Sequence, residues 1–186
     1  MEKPGRNSRF FYFYTIMKQI LLLSLLFSGI LSAQVLDNKR PLPSVDIKTL
    51  DGKSFNSADF DNGGKPMIIN FWATWCKPCI AELTNIEEVY EDWVKETGVK
   101  IIAVSIDDSR NATKVAPFVN GRGWTYEIYL DANSDLKRAL NVNNPPQTFL
   151  INGKKEIVWQ HNGYSEGDEK ELYEMVKKLA EGKPLN

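Results

Sequence analysis

The feature that most constrains this chain is a junction. A short, largely apolar run, Met67–Ala73 (Met-Ile-Ile-Asn-Phe-Trp-Ala), leads within three residues to Cys76, and the stretch Cys76-Lys77-Pro78-Cys79 opens directly into a long helical pattern reaching about Glu96. A run of that length and composition suits a strand covered on both faces. Gly98 stands where a helix C-terminal cap is expected, and Val99–Ile106 supplies a second buried strand. A strand, a crossover helix and another strand are the unit of α/β architecture.

The flanking segments extend the same pattern. Val45–Leu50 and Ser54-Phe55 flank Asp51-Gly52, a two-residue hairpin signal. Asn111–Asn120 reads as helix, Tyr126–Leu130 as strand and Ser134–Leu140 as a short helix. Thr148–Ile151, a Gly153-Lys154 turn and Glu156–Gln160 form a terminal strand hairpin, and Glu166–Glu181 closes the domain as an amphipathic helix with Leu172, Val176 and Leu179 on one stripe. Strands alternating with helices predict an α/β domain around a central sheet. Composition agrees with one folded domain, at 42% hydrophobic and 25% charged residues. The formal net charge of −1 lacks the basic excess that nucleic-acid binding requires.

The N-terminal segment reads as an address. From Met17 come Met-Lys-Gln, the apolar stretch Ile20–Leu31 and then Ser32-Ala33, the order of a secretory signal. As a helix the stretch spans about 18 Å, against roughly 30 Å of hydrocarbon. Residues 1–33 are therefore expected to be a signal peptide cleaved after Ala33, with Met17 the true start and 1–16 an upstream extension. Retention as a membrane anchor is the alternative. A helix joining Phe10–Thr15 to Ile20–Leu31 would bury Lys18 near its middle, at about 2.5–3.5 kcal/mol. Residues 34–40 read as a leader and 41–182 as the domain. The expected location is outside the cytoplasmic membrane, in the periplasm, where disulfides are routine chemistry.

Two cysteines three residues apart admit four readings. A structural zinc site needs four ligands, commonly Cys and His, and the chain holds two Cys and one His, His161. Haem attachment needs His directly after the second Cys, where Ile80 stands. A purely structural disulfide over so short a loop stabilises little. A redox pair remains, and its context supports it. Cys76 falls at a helix N-terminus, where unpaired N–H groups and the macrodipole favour a thiolate. Lys77 adds a positive charge. Pro78 suits the first helical turn, and Cys79, a turn inward, suits a resolving thiol.

On a helical projection of Cys79–Val94, one arc holds Val89, Glu82, Trp93, Ile86, Cys79, Tyr90, Leu83 and Val94. Glu82 is the only charge on that stripe and lies one turn from Cys79. A partly buried carboxylate has a raised pKa and can exchange protons with a resolving thiol. The plainer alternative places Glu82 in the first turns only to suit the helix dipole.

Phe71-Trp72-Ala73-Thr74-Trp75-Cys76-Lys77-Pro78-Cys79, the following Glu82, and Pro145-Pro146-Gln147-Thr148-Phe149-Leu150-Ile151 together resemble the TlpA/ResA-like branch of the thioredoxin superfamily, over about residues 41–182. The resemblance implies an α/β thioredoxin fold with an N-terminal β-hairpin and a strand–helix segment inserted at about 108–133, around a central mixed sheet. It implies Cys76 as nucleophile, Cys79 as resolving thiol, Glu82 as active-site acid and Pro146 as a cis-proline facing the disulfide, with Trp75, Lys77 and Pro78 flanking. From the residues alone a trans Pro145–Pro146 bond is the simpler state. The resemblance further implies an exported reductant of protein disulfides, apocytochromes c among the substrates, fed by a membrane thiol-transfer electron donor, with no cofactor and no metal. One departure stands out: Pro145 precedes the cis-proline position and Gln147 follows it, where the family often has Thr.

Two rivals remain. A peroxiredoxin-type thiol peroxidase typically carries Thr or Ser three residues before its reactive Cys, where this chain has Ala73. A binding module on a redox fold would be favoured had either Cys been lost, and both are present.

Overall fold

The computed structural model describes residues 39–185. The signal assigned to 1–33 and the leader through Asn38 lie outside them. Eight strands form the sheet: β1 (Arg40–Pro41), β2 (Asp46–Thr49), β3 (Ser54–Asn56), β4 (Met67–Trp72), β5 (Lys100–Ser105), β6 (Glu127–Leu130), β7 (Gln147–Ile151) and β8 (Glu156–Asn162). Among the described residues four α-helices accompany them: α1 (Lys77–Thr97), α2 (Val115–Arg122), α3 (Asp135–Ala139) and α4 (Asp168–Ala180). The order across the sheet is β1-β8-β7-β4-β5-β6-β2-β3. β5 runs parallel to β4 and β6, whereas β7, β8, β1 and the β2–β3 hairpin join antiparallel, so the sheet is mixed.

The central strands lie where the apolar runs predict. Every residue of β4 is buried, and so is β5 after Lys100, as expected of strands covered on both faces. α1 starts within the predicted Cys76–Cys79 stretch, at Lys77, and ends at Gly98, whose left-handed conformation (φ 67°) closes the helix by donating its N–H to Val94 O. Cys79, Glu82, Leu83, Ile86 and Trp93 form its buried stripe, while Val89 and Val94, at the two edges of the projected arc, are exposed. α2 and β6, with a 3₁₀ turn at Ala112–Lys114, make up the inserted segment.

The first hairpin differs from expectation in its turn. Thr49 N–H donates to Lys53 O, and Thr49 Oγ1 accepts from Lys53 N–H at 3.0 Å, so pairing continues to Thr49/Lys53 and the loop is Leu50-Asp51-Gly52. Gly52 takes the left-handed position (φ 85°) that closes a three-residue loop. Arg40, assigned to the leader, sits opposite Ile157 in β1 at the sheet edge. One core joins both faces, with Phe60, Phe71, Trp72 and Phe149 fully enclosed.

Candidate active site

Cys76 is the N-cap of α1, and Cys76 and Cys79 are joined as a disulfide with Cα atoms 5.3 Å apart. Cys79 N–H donates to Cys76 Sγ at 3.4 Å, and Ile80 N–H to Cys76 O at 3.1 Å. The first sulfur therefore already sits where the helix presents its unpaired donors. Cys79 is fully buried and Cys76 keeps 5% exposure, while Trp75 (62%), Lys77 and Pro78 are open to solvent. Pro78 lies in the first turn, where a missing N–H breaks no helical bond.

The approach to the helix is held from below. Asp107, buried just beyond β5, accepts from the Thr74 N–H (2.9 Å), the Thr74 hydroxyl (2.6 Å) and the Ser105 hydroxyl (2.8 Å). These bonds anchor the loop between β4 and α1 to the neighbouring strand.

Glu82 is 4% exposed, one helical turn from Cys79. Its Oε1 accepts from the Thr148 hydroxyl at 2.8 Å and its Oε2 from Asn70 Nδ2 at 2.9 Å. Asn70 Nδ2 also donates to Thr148 Oγ1 at 2.8 Å, closing a ring of three buried side chains. Asn70 Oδ1 has no partner. Burial pushes the Glu82 carboxyl up to about 7. The bonds from Thr148 and Asn70 pull the other way, and the nearby charges of Asp168 and Glu169 add to the rise. A carboxyl titrating near neutrality beside a dithiol can give or take a proton during exchange.

Asn70 and Thr148 escape the sequence reading. The signal for Asn70 is present, as the one polar side chain in Met67–Ala73, but its partners arrive from α1 and β7. The Pro145–Pro146 bond is cis. Pro146 is buried, its carbonyl accepts from Gly163 N–H at 2.8 Å, and β7 starts directly after it. Because Gln147 pairs with Phe71 in antiparallel register, Pro146 lies at the end of the sheet from which Cys76 emerges. The structure thus brings the cysteine pair, Glu82 and the cis-proline into one quarter of the fold. His161 stands apart on β8, stacked on Trp159 with Nε2 3.4 Å from Asp168 Oδ2.

Comparison with known proteins gives this arrangement a family. The model of the AhpC/TSA family matches residues 39–160. Thiol-disulfide oxidoreductase ResA of Bacillus thuringiensis subsp. konkukian is 32% identical over 137 residues, covering 74% of this chain and 75% of its own. The chain belongs to the AhpC/TSA family, in its TlpA/ResA-like branch. Among solved structures, a thioredoxin-like protein from Porphyromonas gingivalis is 51% identical, with a TM-score of 0.69 over 75% of this chain and 92% of its own. A thiol:disulfide interchange protein of the thioredoxin family from Chlorobium tepidum is 26% identical, with a TM-score of 0.60 over 76% and 97%. As a ResA-like protein the chain is a thiol–disulfide oxidoreductase. The disulfide of this ResA-like chain occupies the helix N-terminus that the chemistry requires.

Proposed function

We propose that this ResA-like protein is an exported reductant of protein disulfides. The observation that carries the reading is the pairing of a helix-capping Cys76, which keeps 5% exposure, with a sealed Cys79, one turn from the buried Glu82. In the reduced protein the Cys76 thiolate attacks a substrate disulfide, forming a mixed disulfide and releasing one substrate thiol. Cys79 then attacks Cys76 Sγ, releases the second substrate thiol and leaves the Cys76–Cys79 disulfide. Glu82 takes the proton that Cys79 must lose to become a nucleophile. Pro146, at the same end of the sheet, borders the surface on which substrate lies, with Trp75, Lys77 and Pro78 opposite. The pair is then re-reduced by a membrane thiol-transfer donor, and apocytochromes c are the substrate class that the family likeness supplies.

Support for export comes from residues 1–33, with their short positive start at Met17, apolar stretch and small residues before Gln34. Among the described residues no helix is long and apolar enough to cross a membrane. N-terminal sequencing of protein recovered from the exported fraction should begin at Gln34. A retained Met17 would replace cleavage by anchoring.

Mixed-disulfide trapping tests the chemistry. Cys79→Ala should accumulate covalent complexes with protein substrates that dithiothreitol dissolves, and Cys76→Ala should accumulate none. The reverse pattern would exchange the two roles. Peroxide consumption serves as the control. Ala73 offers no hydroxyl to a peroxide, and the Thr74 hydroxyl is already committed to Asp107, so turnover with peroxide should stay at background.

A further inference from the structure

The sheet face opposite Glu82 carries a cavity of about 420 Å³ whose lining holds none of Cys76, Cys79, Glu82 or Pro146. Neighbouring residues of a strand point to opposite faces. Since Thr148 reaches Glu82, Gln147 points the other way, into this cavity. Gln147 is 6% exposed, and its side-chain amide forms no hydrogen bond with any described residue. The enclosed polar atoms left without a partner do not include this amide, so it faces the water of the cavity. Opposite it stands Arg40, whose guanidinium donates to Gln160 Oε1 at 2.9 Å and lies 5.7 Å from the Phe149 ring centre. No carboxylate among the described residues pairs with Arg40, and a guanidinium has five N–H donors to place. Leu140 and Ile157 supply apolar wall.

We propose that this cavity binds a carboxylate carried on an apolar body, its oxygens accepting from Arg40 and from the Gln147 amide. Arg40 is the only cationic side chain in the lining, which suits the single charge of a carboxylate rather than a doubly charged phosphate. The volume lies within the range that holds small ligands. Gln147, the residue at which the sequence departs from its family, has its partner here. Two sources can supply the group: a free organic acid, or an acidic residue of the bound protein substrate. The second is within reach because Gln147 directly follows Pro146, and it alone rests on the disulfide-exchange reading.

The test uses the oxidised mature protein and ¹⁵N NMR. Titration with N-acetyl-leucine should move the Arg40 Nε–H and Gln147 side-chain signals saturably, and N-acetyl-leucine amide should not. Arg40→Gln and Gln147→Glu should each weaken binding of the acid about tenfold or more. Equal shifts from acid and amide, or none from either, would overturn the proposal without any variant being needed. The second arm measures exchange with two disulfide peptides that differ only in Glu against Gln beside the Cys. A faster Glu peptide whose advantage vanishes in Arg40→Gln assigns the carboxylate to the protein substrate. Equal rates with the NMR binding intact assign it to a free acid. Failure of exchange with both peptides, while N-acetyl-leucine still binds, would count against the exchange reading and leave the cavity standing.

Discussion

Glu82 is a carboxylate placed where water does not reach, and its neighbours only partly compensate. Two donors, Thr148 and Asn70, meet its two oxygens, yet burial still lifts its pKa from 4.5 to about 7. A folded-state pKa above the unfolded one means that the native state holds its proton more tightly. The stability linked to that proton is fully present below about pH 4.5 and is lost as pH rises through about 7. The shift corresponds to about 3 kcal/mol, so wild type should lose up to that much between these limits while Glu82→Gln loses far less. Urea melts at pH 4.5 and 8 check this, and parallel slopes in the two proteins would deny the burial. Thr148→Val removes one donor from the carboxylate and should push the pKa above 7. The pH profile of thiol exchange, followed from pH 5 to 9, should then move upward. Glu82 is legible from sequence because it is the one charge on an apolar stripe. Its partners are not, since Asn70 and Thr148 are 78 positions apart and meet only through strand register.

At the scale of elements, what the sequence shows best is where each segment starts, and what it shows least is which segments press together. The strand–helix junction at Ala73–Cys76 is visible because its apolar run is unbroken and Pro78 can stand only near the start of a helix. Gly153 shows the limit. It reads as a turn residue and does lie in the β7–β8 connection, but the left-handed position there belongs to Lys155 (φ 62°). Gly153 is needed for a different reason: a Cβ at that position would stand 2.0 Å from Gly64 O, in the loop before β4. Backbone meets backbone at that point, so neither side can yield by changing a rotamer. Gly153→Ala should lower stability by about 1–3 kcal/mol, the range for forced overpacking. Lys154→Ala, beside it and exposed, should stay within about 0.5 kcal/mol. Chemical denaturation of the two variants separates them, and equal effects would deny the close approach. The outward-facing Val89 and Val94 teach the same lesson from the helix side, because an apolar arc tells what could be covered and only the neighbours decide what is.

For the molecule as a whole the open question is the direction of electron flow, and folding stability answers it. Folding and oxidation are linked: whichever redox form the native structure favours unfolds at the higher temperature. DsbA is a strong oxidant because its reduced form is the stabilised one. In this chain two influences compete over the reduced pair. The N-terminus of α1 favours a Cys76 thiolate, while Glu82, buried a turn from Cys79 and ionised above about pH 7, opposes a second negative charge in the same enclosed space. Repulsion between enclosed charges is little screened by solvent and salt. On the proposed reading as a reductant, the enclosed repulsion outweighs the helix terminus and the disulfide form is the favoured one. Above pH 7 the oxidised protein should melt higher than the reduced one. Each 30 mV of bias is about 1.4 kcal/mol, and in a domain of this size each kcal/mol moves the midpoint by about 2–4 °C. Glu82→Gln should narrow the gap by removing the opposing charge, and in wild type the gap should shrink below pH 6 as the carboxyl takes up its proton. Differential scanning calorimetry of both forms at pH 5.5 and 8 decides the matter. A reduced form that melts higher at pH 8 would reverse the electron flow and make the protein an oxidant.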